Sequence, residues 1–307
     1  MSEQPHERLN IAEALREASA ALRAAGVVEA RLDARVLLSD TLARDHAFLI
    51  AHSGDELDAA SLALFRERIR RRASGEPLQY ITGRQEFYGL DFEVNRAVLI
   101  PRPETELLVE TALELLRGTE APLLCDVGTG SGCIPVALLH ERRDARACGL
   151  DISPDALAVA ARNAARHGVS ERLTLHVSDC FDALDATPAT DATGEDPHRF
   201  QLITSNPPYI AESELPGLQR EVREHEPRIA LTPGGDGLSV IRRLLAEAPR
   251  HLAASGHFIF EIGYNQHEQV ARLVDENVWT LIRIRPDLQS IPRIVVLRRR
   301  SLSGTHE

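Results

Sequence analysis

The sequence contains no lysine, and all 35 of its basic residues are arginine, which we interpret as genomic composition and not as mechanism. It also lacks an apolar run approaching the ~20 residues that span a bilayer, so we expect no membrane anchor. The polar residues 1–10 have no apolar core of the kind found in signal peptides, which favours a cytosolic protein. The four cysteines form no Cys-x-x-Cys pair, and we interpret them as buried thiols and not as zinc ligands or disulfides.

The negative charge is unevenly distributed along the chain. Of the formal net charge of −11, residues 1–75 carry −1 and the remaining 232 residues carry −10. A region so acidic should be repelled by a polyphosphate backbone unless it has a local basic stripe, so we expect no direct nucleic-acid binding. The length of 307 residues favours two domains, and the sequence leaves the oligomeric state open.

Residues 1–75 predict a small helical domain. Between Ile11 and Ala73 apolar residues recur at three- and four-residue steps, as in amphipathic helices, with breaks at Gly26 and Ser53-Gly54. The last helix ends in five arginines, namely Arg66, Arg68, Arg70, Arg71 and Arg72. We interpret this arginine cluster as a solvated face that suits the negative end of the helix dipole, with a docking patch for an acidic partner as the alternative.

Residues 76–100 predict a hairpin connector. A Gly-Glu-Pro sequence ends the preceding helix, and the stretches 79–83 and 86–94 have the pattern of short strands around glycine turns. Two prolines then impose an extended path on residues 100–103. Glu104 and Glu106 are expected in the first turn of a helix that runs to about Arg117.

From Pro122 onward, predicted strands and helices alternate. Strands are expected at 123–127, 147–150, 173–177, 200–204, 257–262, 280–284 and 294–297. This alternation predicts an α/β fold over residues 101–307, with a doubly wound, seven-stranded and mostly parallel sheet. The last two strands are close enough in sequence to favour an antiparallel hairpin at the sheet edge. Residues 183–198 have the composition of a mobile insertion without function.

A glycine loop lies between the first of these strands and the helix that follows it. Its residues are Asp126, Val127, Gly128, Thr129, Gly130, Ser131 and Gly132. Glycines allow the backbone to approach a ligand closely, and a helix N-terminus offers unpaired amides to an anionic group. A dinucleotide fingerprint would need glycine at Cys133, or glycine or alanine at Pro135, so a nicotinamide cofactor is disfavoured.

S-adenosylmethionine fits this loop better. Its carboxylate suits the helix end, and its ammonium and sulfonium suit Asp126. Asp151 ends the second strand, where it could accept both ribose hydroxyls. Asp179 follows the third strand and could accept from the adenine amino group, with Cys180 and Phe181 beside the ring. Any one of these acids alone could be a helix cap or a solvated loop residue. Three acids at the ends of successive strands indicate a ligand site, because doubly wound sheets bind ligands at that edge.

The sequence Asn206-Pro207-Pro208-Tyr209 follows the fourth strand. The two prolines fix the backbone and remove two donors, which leaves carbonyl groups free to accept. The Asn206 side-chain oxygen and the Pro207 carbonyl could therefore accept the two N–H bonds of a planar amide or amine, while Tyr209 lies on the planar group. Asn206 and Tyr209 are thus the expected catalytic residues. A turn without function is the alternative.

Several motifs of the chain resemble one family. They are the segments 75–83 (Gly-Glu-Pro-Leu-Gln-Tyr-Ile-Thr-Gly), Glu86-Phe87, 100–106 (Ile-Pro-Arg-Pro-Glu-Thr-Glu), 126–132, 206–209, His225-Glu226-Pro227 and 235–238 (Gly-Asp-Gly-Leu). Together they resemble the peptide chain release factor N5-glutamine methyltransferases of the HemK/PrmC type, which are class I S-adenosylmethionine-dependent enzymes. The Pro-Arg-Pro-Glu-Thr-Glu segment is the most discriminating of them, whereas Asn-Pro-Pro-Tyr is shared with nucleic-acid amino-methyltransferases.

The resemblance implies a fold and a substrate. It implies a helical N-terminal domain that recognises the substrate, and methylation of the glutamine in the Gly-Gly-Gln motif of release factors. It implies that Gly128–Gly132, Asp151 and Asn206 contact the cofactor and that residues 206–209 hold the glutamine. Arg102 and Glu104 would shape the wall of the active site or form a structural ion pair. Cys180 stands where many members have an aromatic residue, which weakens the expected stacking on adenine.

Two other functions compete with this interpretation. A DNA or RNA amino-methyltransferase would use the same Asn-Pro-Pro-Tyr pocket for a base, but the acidic catalytic region and the lack of lysine argue against it. A non-catalytic protein that binds the cofactor or the translation machinery would not need an intact Asn-Pro-Pro-Tyr pocket.

Overall fold

The computed structural model describes residues 9–186 and 199–300. Within these ranges the chain divides into two compact units. The first unit contains the described residues up to Arg84 together with Gln219–His225, and the second contains the rest. No helix in the described ranges is both long and apolar enough to cross a membrane. Most of the predicted insertion, from residue 187 to 198, lies outside the described residues.

The bounds of the elements are as follows. The helices are α1 (Ile11–Ala24), α2 (Ala30–Leu42), α3 (His46–Ala51), α4 (Ala59–Ala73), α5 (Leu78–Thr82), α6 (Glu106–Leu115), α7 (Cys133–Glu141), α8 (Pro154–Arg166), α9 (Asp182–Asp185), α10 (Arg220–His225), α11 (Arg228–Leu231), α12 (Ser239–His251) and α13 (His267–Leu273). The strands are β1 (Arg84–Phe87), β2 (Leu90–Glu93), β3 (Leu123–Val127), β4 (Arg146–Asp151), β5 (Leu173–Val177), β6 (Phe200–Ser205), β7 (Leu252–Glu261), β8 (Trp279–Pro286) and β9 (Pro292–Arg299).

The first unit is built around the bundle of α1 to α4, which confirms the predicted helical region. The Asn10 side chain caps α1 by accepting from the Glu13 amide, and the Glu13 carboxylate accepts from the Asn10 amide in return. Asp58 caps α4 by accepting from the next free amides of that helix. Apolar side chains from all four helices form one buried core, with Leu22, Leu37 and Phe65 near its centre.

The arginine cluster of α4 is a solvated face only at Arg66 and Arg70, which corrects the prediction for its other three members. Arg72 is 6% exposed and donates to Asp33 and to Glu221, each over 2.7 Å. Arg71 makes a two-bond ion pair with Glu76, and Arg68 pairs with Asp40 at 2.7 Å. These three guanidinium groups therefore form ion pairs within the first unit. Their carboxylate partners are distant in sequence or follow the end of α4, so the local sequence did not reveal them.

The connector contains one predicted hairpin and one misassigned strand. Strands β1 and β2 pair in a two-stranded sheet across the turn at Tyr88-Gly89, as predicted. Residues 79–83 were expected to be extended, but they belong to the short helix α5, which ends where Gly83 adopts a left-handed conformation. Within the second unit β2 is attached to α8, because the Glu93 amide donates to Asn163 and the Arg162 guanidinium pairs with the Glu93 carboxylate.

The second unit contains the predicted seven-stranded sheet. Its strand order is β5-β4-β3-β6-β7-β9-β8, and the five strands from β5 to β7 are parallel. Strands β8 and β9 form an antiparallel hairpin that ends the sheet, which confirms that prediction. Helices cover both faces of the sheet, and one buried cluster lies on each face. All four cysteines are free and buried, as expected.

The strand registers bring the expected site residues to one edge. Val127 pairs with Leu150 on one side and with Ser205 on the other, and Ser205 pairs with Phe260. The glycine loop, Asp151 and Asn206 therefore leave the sheet at the same level. The strand order reverses direction at β3 and β6, and such a switch point is where doubly wound sheets bind ligands.

Candidate active site

A cavity of about 290 Å³ opens at this edge of the second unit. This volume lies near the lower end of the range for small-molecule sites. Its wall is formed by the glycine loop, by the residues that follow β4, β5 and β6, and by the segments 97–105 and 227–233. The cavity therefore joins the two predicted halves of the site, since Gly128 and Asn206 both line it.

The glycine loop turns sharply from β3 into α7. Gly128, Gly130 and Gly132 all have positive φ, and Gly132 is the N-cap of α7. A Cβ atom on Gly132 would lie 3.1 Å from the Cβ atom of Ala160 in α8, so the two helices can approach this closely only with glycine there. The Gly128 and Thr129 amides both donate to the Leu150 carbonyl, which fixes the loop against β4.

Asp126 is buried beside this loop and is only partly paired. One carboxylate oxygen, Oδ1, accepts from the Thr204 hydroxyl over 2.6 Å, whereas Oδ2 has no hydrogen-bond partner. The Thr129 hydroxyl is also buried here and forms no hydrogen bond of normal geometry. Burial raises the pKa of Asp126 to about 6, and the side-chain contacts with Thr204 and Thr129 oppose that rise. A buried anionic oxygen that lacks a partner fits a cationic group such as the ammonium of S-adenosylmethionine.

Asp151 holds the glycine loop to the start of α8. Its Oδ2 atom accepts from the Gly130 amide over 2.8 Å, and its Oδ1 atom accepts from the Ser153 amide over 2.9 Å. Burial raises the pKa of Asp151, while these amide bonds oppose the rise. Asp151 lines the cavity as expected, and each oxygen retains a further lone pair that a ribose hydroxyl could use.

The residues after β5 divide between the cavity wall and the core. Asp179 and Cys180 line the cavity, and the Asp179 carboxylate pairs with the Arg243 guanidinium at 2.8 Å. Burial raises the pKa of the Cys180 thiol to about 12, which favours the protonated thiol over the nucleophilic thiolate. Phe181 does not flank the cavity, which corrects the prediction. It is fully buried and stacks on His251 with ring centroids 4.7 Å apart.

Asn206, Pro207 and Pro208 form a further part of the wall. A Cβ atom on Gly128 would lie 3.9 Å from the Asn206 carbonyl oxygen, so this end of the cavity adjoins the glycine loop. Tyr209 was expected in the wall, but it does not line the cavity. Its hydroxyl instead donates to Glu261 over 3.1 Å. Burial raises the pKa of Tyr209 well above its ordinary value, and the Glu261 carboxylate adds to the rise, so the phenol stays a neutral donor.

Two further residues belong to this end of the site and were missed in the sequence. The Asn206 Nδ2 group donates to the Thr105 hydroxyl over 3.1 Å, and that hydroxyl donates to Glu261 over 2.7 Å. Thr105 lies inside the Pro-Arg-Pro-Glu-Thr-Glu motif, and Glu261 is an acid at the end of a buried strand, like Asp151. Both signals were therefore present in the sequence.

Arg102 and Glu104 separate in the structure. Arg102 lines the cavity, and its guanidinium donates to the Glu226 carboxylate over 2.5 Å. Glu226 is buried and also accepts from the Ile100 amide over 3.2 Å. Glu104 does not line the cavity, and its charge contributes to the raised pKa of Glu261. The predicted wall residue is thus Arg102, and its ion-pair partner comes from the His-Glu-Pro motif.

The second glycine motif, residues 235–238, packs against Tyr209. A Cβ atom on Gly237 would lie 2.3 Å from the Tyr209 carbonyl oxygen, a distance that no side chain can adopt. The same carbonyl accepts from the Gln266 side-chain amide over 2.8 Å. The backbone of the Asn-Pro-Pro-Tyr segment is therefore fixed at its last residue by two separate contacts.

Comparison with known proteins gives matches over nearly the whole chain. Residues 13–83 match the family described as PrmC N-terminal domain, and residues 121–283 match a methyltransferase domain. A release factor glutamine methyltransferase of Nitratidesulfovibrio vulgaris is 43% identical over 94% of this chain and 95% of its own length. One of Cereibacter sphaeroides is 44% identical over 94% of this chain and 99% of its own length. A solved methyltransferase structure from Pyrococcus furiosus aligns with 76% of this chain and 99% of its own, at 13% identity and a TM-score of 0.48.

Proposed function

This chain belongs to the release factor glutamine methyltransferase family, and on that premise we propose that it methylates the side-chain nitrogen N5 of the glutamine in the Gly-Gly-Gln motif of peptide chain release factors. It is a methyltransferase, and its methyl donor is S-adenosylmethionine, which supplies an electrophilic methyl group on a positively charged sulfur. A cytosolic location, where such a substrate would be met, is part of the same proposal.

The observation that carries the proposal is the orientation of the Asn206 amide at the cavity wall. One N–H bond of its Nδ2 group donates to Thr105, which holds the nitrogen on the Thr105 side of the amide. The Oδ1 atom is therefore the acceptor that Asn206 offers to a substrate on the other side. An oxygen at this position selects a partner that donates N–H bonds, as a primary amide does.

The chemistry follows from how a glutamine amide would be held. Its two N–H bonds would be accepted by Asn206 Oδ1 and by the Pro207 carbonyl, which directs the nitrogen toward the glycine loop. An amide nitrogen is a poor nucleophile because its lone pair is delocalised, and two acceptors that polarise its N–H bonds increase its electron density. Fixed acceptors of this kind act by positioning and by stabilising the positive charge that develops on nitrogen. The extra proton can leave after the transfer, when the nitrogen is far more acidic.

The remaining residue roles belong to the same proposal. Asp126 would face the cationic part of the methyl donor, the loop Gly128–Gly132 its carboxylate, and Asp151 its ribose. Asp179 and Cys180 would lie at the adenine. Arg102 would line the path of the substrate, whose two glycines let an extended backbone enter a narrow groove. Residues 1–75 would recognise the release factor.

Mass spectrometry of a release factor after incubation with enzyme and S-adenosylmethionine tests the proposal directly. We expect one added methyl group on the Gly-Gly-Gln peptide and none when its glutamine is replaced by alanine. A short DNA duplex and a short RNA, assayed in parallel at low salt, serve as the nucleic-acid arm. Equal labelling of the glutamine variant, or transfer to the nucleic acid alone, would contradict the proposal.

A further inference from the structure

Glu261 has a more central place in the site than any sequence signal indicated. It is the last residue of β7, beside β6, and is 1% exposed. Both carboxylate oxygens are used: Oε2 accepts from the Thr105 hydroxyl at 2.7 Å and Oε1 accepts from the Tyr209 hydroxyl at 3.1 Å. One buried carboxylate thus joins Thr105 to Tyr209, and through Thr105 it reaches Asn206.

The direction of these bonds follows from the chemistry of a carboxylate. An ionised carboxylate only accepts, so the Thr105 hydroxyl must use its proton toward Glu261. The Thr105 oxygen can then only accept from Asn206, and it does so from the Nδ2 group over 3.1 Å. If the Thr105 hydroxyl instead donated to Asn206, the amide would have to turn its oxygen away from the cavity.

We propose that the Glu261 carboxylate is a positioning residue that acts through Thr105 to hold the Asn206 amide with its oxygen, and not its nitrogen, toward the substrate. The inference rests on the proposed function, because it assumes a substrate that donates N–H bonds to Asn206. In the opposite orientation the Asn206 NH₂ group would face the N–H bonds of the substrate amide. Two donor groups cannot form a hydrogen bond, so the glutamine nitrogen would not be held there.

The protonation state of Glu261 then controls the orientation. A protonated carboxyl group could donate to Thr105 and free the Thr105 proton for Asn206. The charged and titratable groups that act on Glu261 are Arg293 on β9, Glu104 before α6, and Tyr209. Burial raises the pKa of Glu261, and the bonds from Thr105 and Tyr209 oppose the rise. Because the ionised form is required, activity should fall as the pH drops through this raised pKa.

The test compares variants at saturating methyl donor and release-factor peptide. Thr105→Val removes the link and should lower kcat about thirtyfold, whereas Thr105→Ser keeps the hydroxyl and should stay within about threefold of the unaltered enzyme. Glu261→Gln, which can orient Thr105 either way, should lower kcat roughly tenfold and lose the acid limb of the pH profile. The double variant should be no slower than Thr105→Val within about twofold, because both changes break one chain of bonds.

A spectroscopic measurement keeps this inference separate from the proposed function. In protein labelled with ¹⁵N-asparagine, the Asn206 side-chain NH₂ signal, assigned by its loss in Asn206→Asp, should shift in Thr105→Val and in Glu261→Gln. It should be unchanged in Glu114→Gln, a control whose carboxylate pairs with Arg283 and Arg285 away from the cavity. An unshifted signal, multiplicative losses in the double variant, or an unchanged acid limb in Glu261→Gln would overturn the inference. Absence of methylation by the unaltered enzyme would instead overturn the proposed function.

Discussion

Two buried carboxylates stand on either side of β6, and they are used in opposite ways. Asp126 on β3 and Glu261 on β7 are 2% and 1% exposed. Burial raises the pKa of each above its ordinary value. Glu261 accepts a hydrogen bond at each oxygen, whereas Asp126 leaves Oδ2 without a partner. The two sides of β6 therefore differ in how completely the protein satisfies a buried charge.

The difference separates the preparation of a site from the binding of a ligand. A buried oxygen without a partner costs stability until a ligand supplies one, so Asp126 is placed for binding. A buried carboxylate with both oxygens paired adds little affinity for a ligand but fixes its neighbours, so Glu261 is placed for orientation. Changes at the Asn206 end should thus appear in kcat, and changes at the Asp126 end in the affinity for the methyl donor.

The largest effect should come from Asn206→Ala. The change removes the acceptor that we propose for the substrate N–H bond, so kcat should fall by on the order of a hundredfold or more. The dissociation constant for S-adenosylmethionine, measured by calorimetry, should change less than about tenfold. Asn277→Ala, in a surface turn next to Asp275, is the matched control and should leave kcat unaltered. A normal kcat in Asn206→Ala would mean that the Asn-Pro-Pro-Tyr pocket does not hold the substrate nitrogen.

Asp126→Asn should have the opposite signature. It removes the anionic oxygen proposed to face the donor's cationic part, and the dissociation constant for S-adenosylmethionine should rise about thirtyfold with a smaller change in kcat. The same variant should be more stable above pH 6 by about 1–3 kcal/mol, because a pKa that rises from 3.8 to about 6 on folding destabilises the ionised folded state.

Urea denaturation at two pH values tests the sign of this stability change. The penalty from Asp126 is fully present above the folded pKa of about 6 and disappears as the pH falls toward 3.8. The stability gain of Asp126→Asn should therefore be present at pH 7.5 and mostly absent at pH 4.5. A gain of equal size at both values would show that charge burial is not its cause.

The affinity for the methyl donor should itself depend on pH through Asp126. Below pH 6 this carboxylate takes up a proton in the free protein and can no longer pair with a cation. The dissociation constant for S-adenosylmethionine should therefore be about tenfold larger at pH 5 than at pH 7. Asp126→Asn should lack this dependence, and a dependence that persists in that variant would assign it to another group, such as Asp151.

The sequence predicted the sheet well because burial leaves a local signal there. Strands β3 and β5 have the predicted bounds, and Asp151 at the end of β4 lines the cavity, whereas Asp126 is buried and is not among the residues that line it. The short helix α5 was missed because five residues do not show a helical period. Its sequence, with Tyr80 and Ile81, also favours a strand.

The parts of the site that were not predicted depend on partners distant in sequence. Glu261 obtains its role from Thr105 and Tyr209, which precede it by 156 and 52 residues. An acid after an apolar strand gives no indication of whether its oxygens will be paired. The buried part of the arginine cluster was missed for the same reason, since the burial of Arg72 depends on Asp33 and Glu221.

The smallest effect on the methyl donor should come from Phe181→Leu, which tests whether this ring belongs to the core or to the adenine site. Phe181 is fully buried and stacked on His251, so the change should lower the free energy of unfolding by about 1–2 kcal/mol. The dissociation constant for S-adenosylmethionine should stay within about twofold. Cys180→Asp, one residue away in the cavity wall, is the contrasting variant and should weaken that affinity, because it adds a charge where we place the adenine. If Phe181→Leu weakened binding more than Cys180→Asp did, the ring would have to contact the adenine in the bound enzyme, and the boundary between core and cavity would have to be moved by one residue.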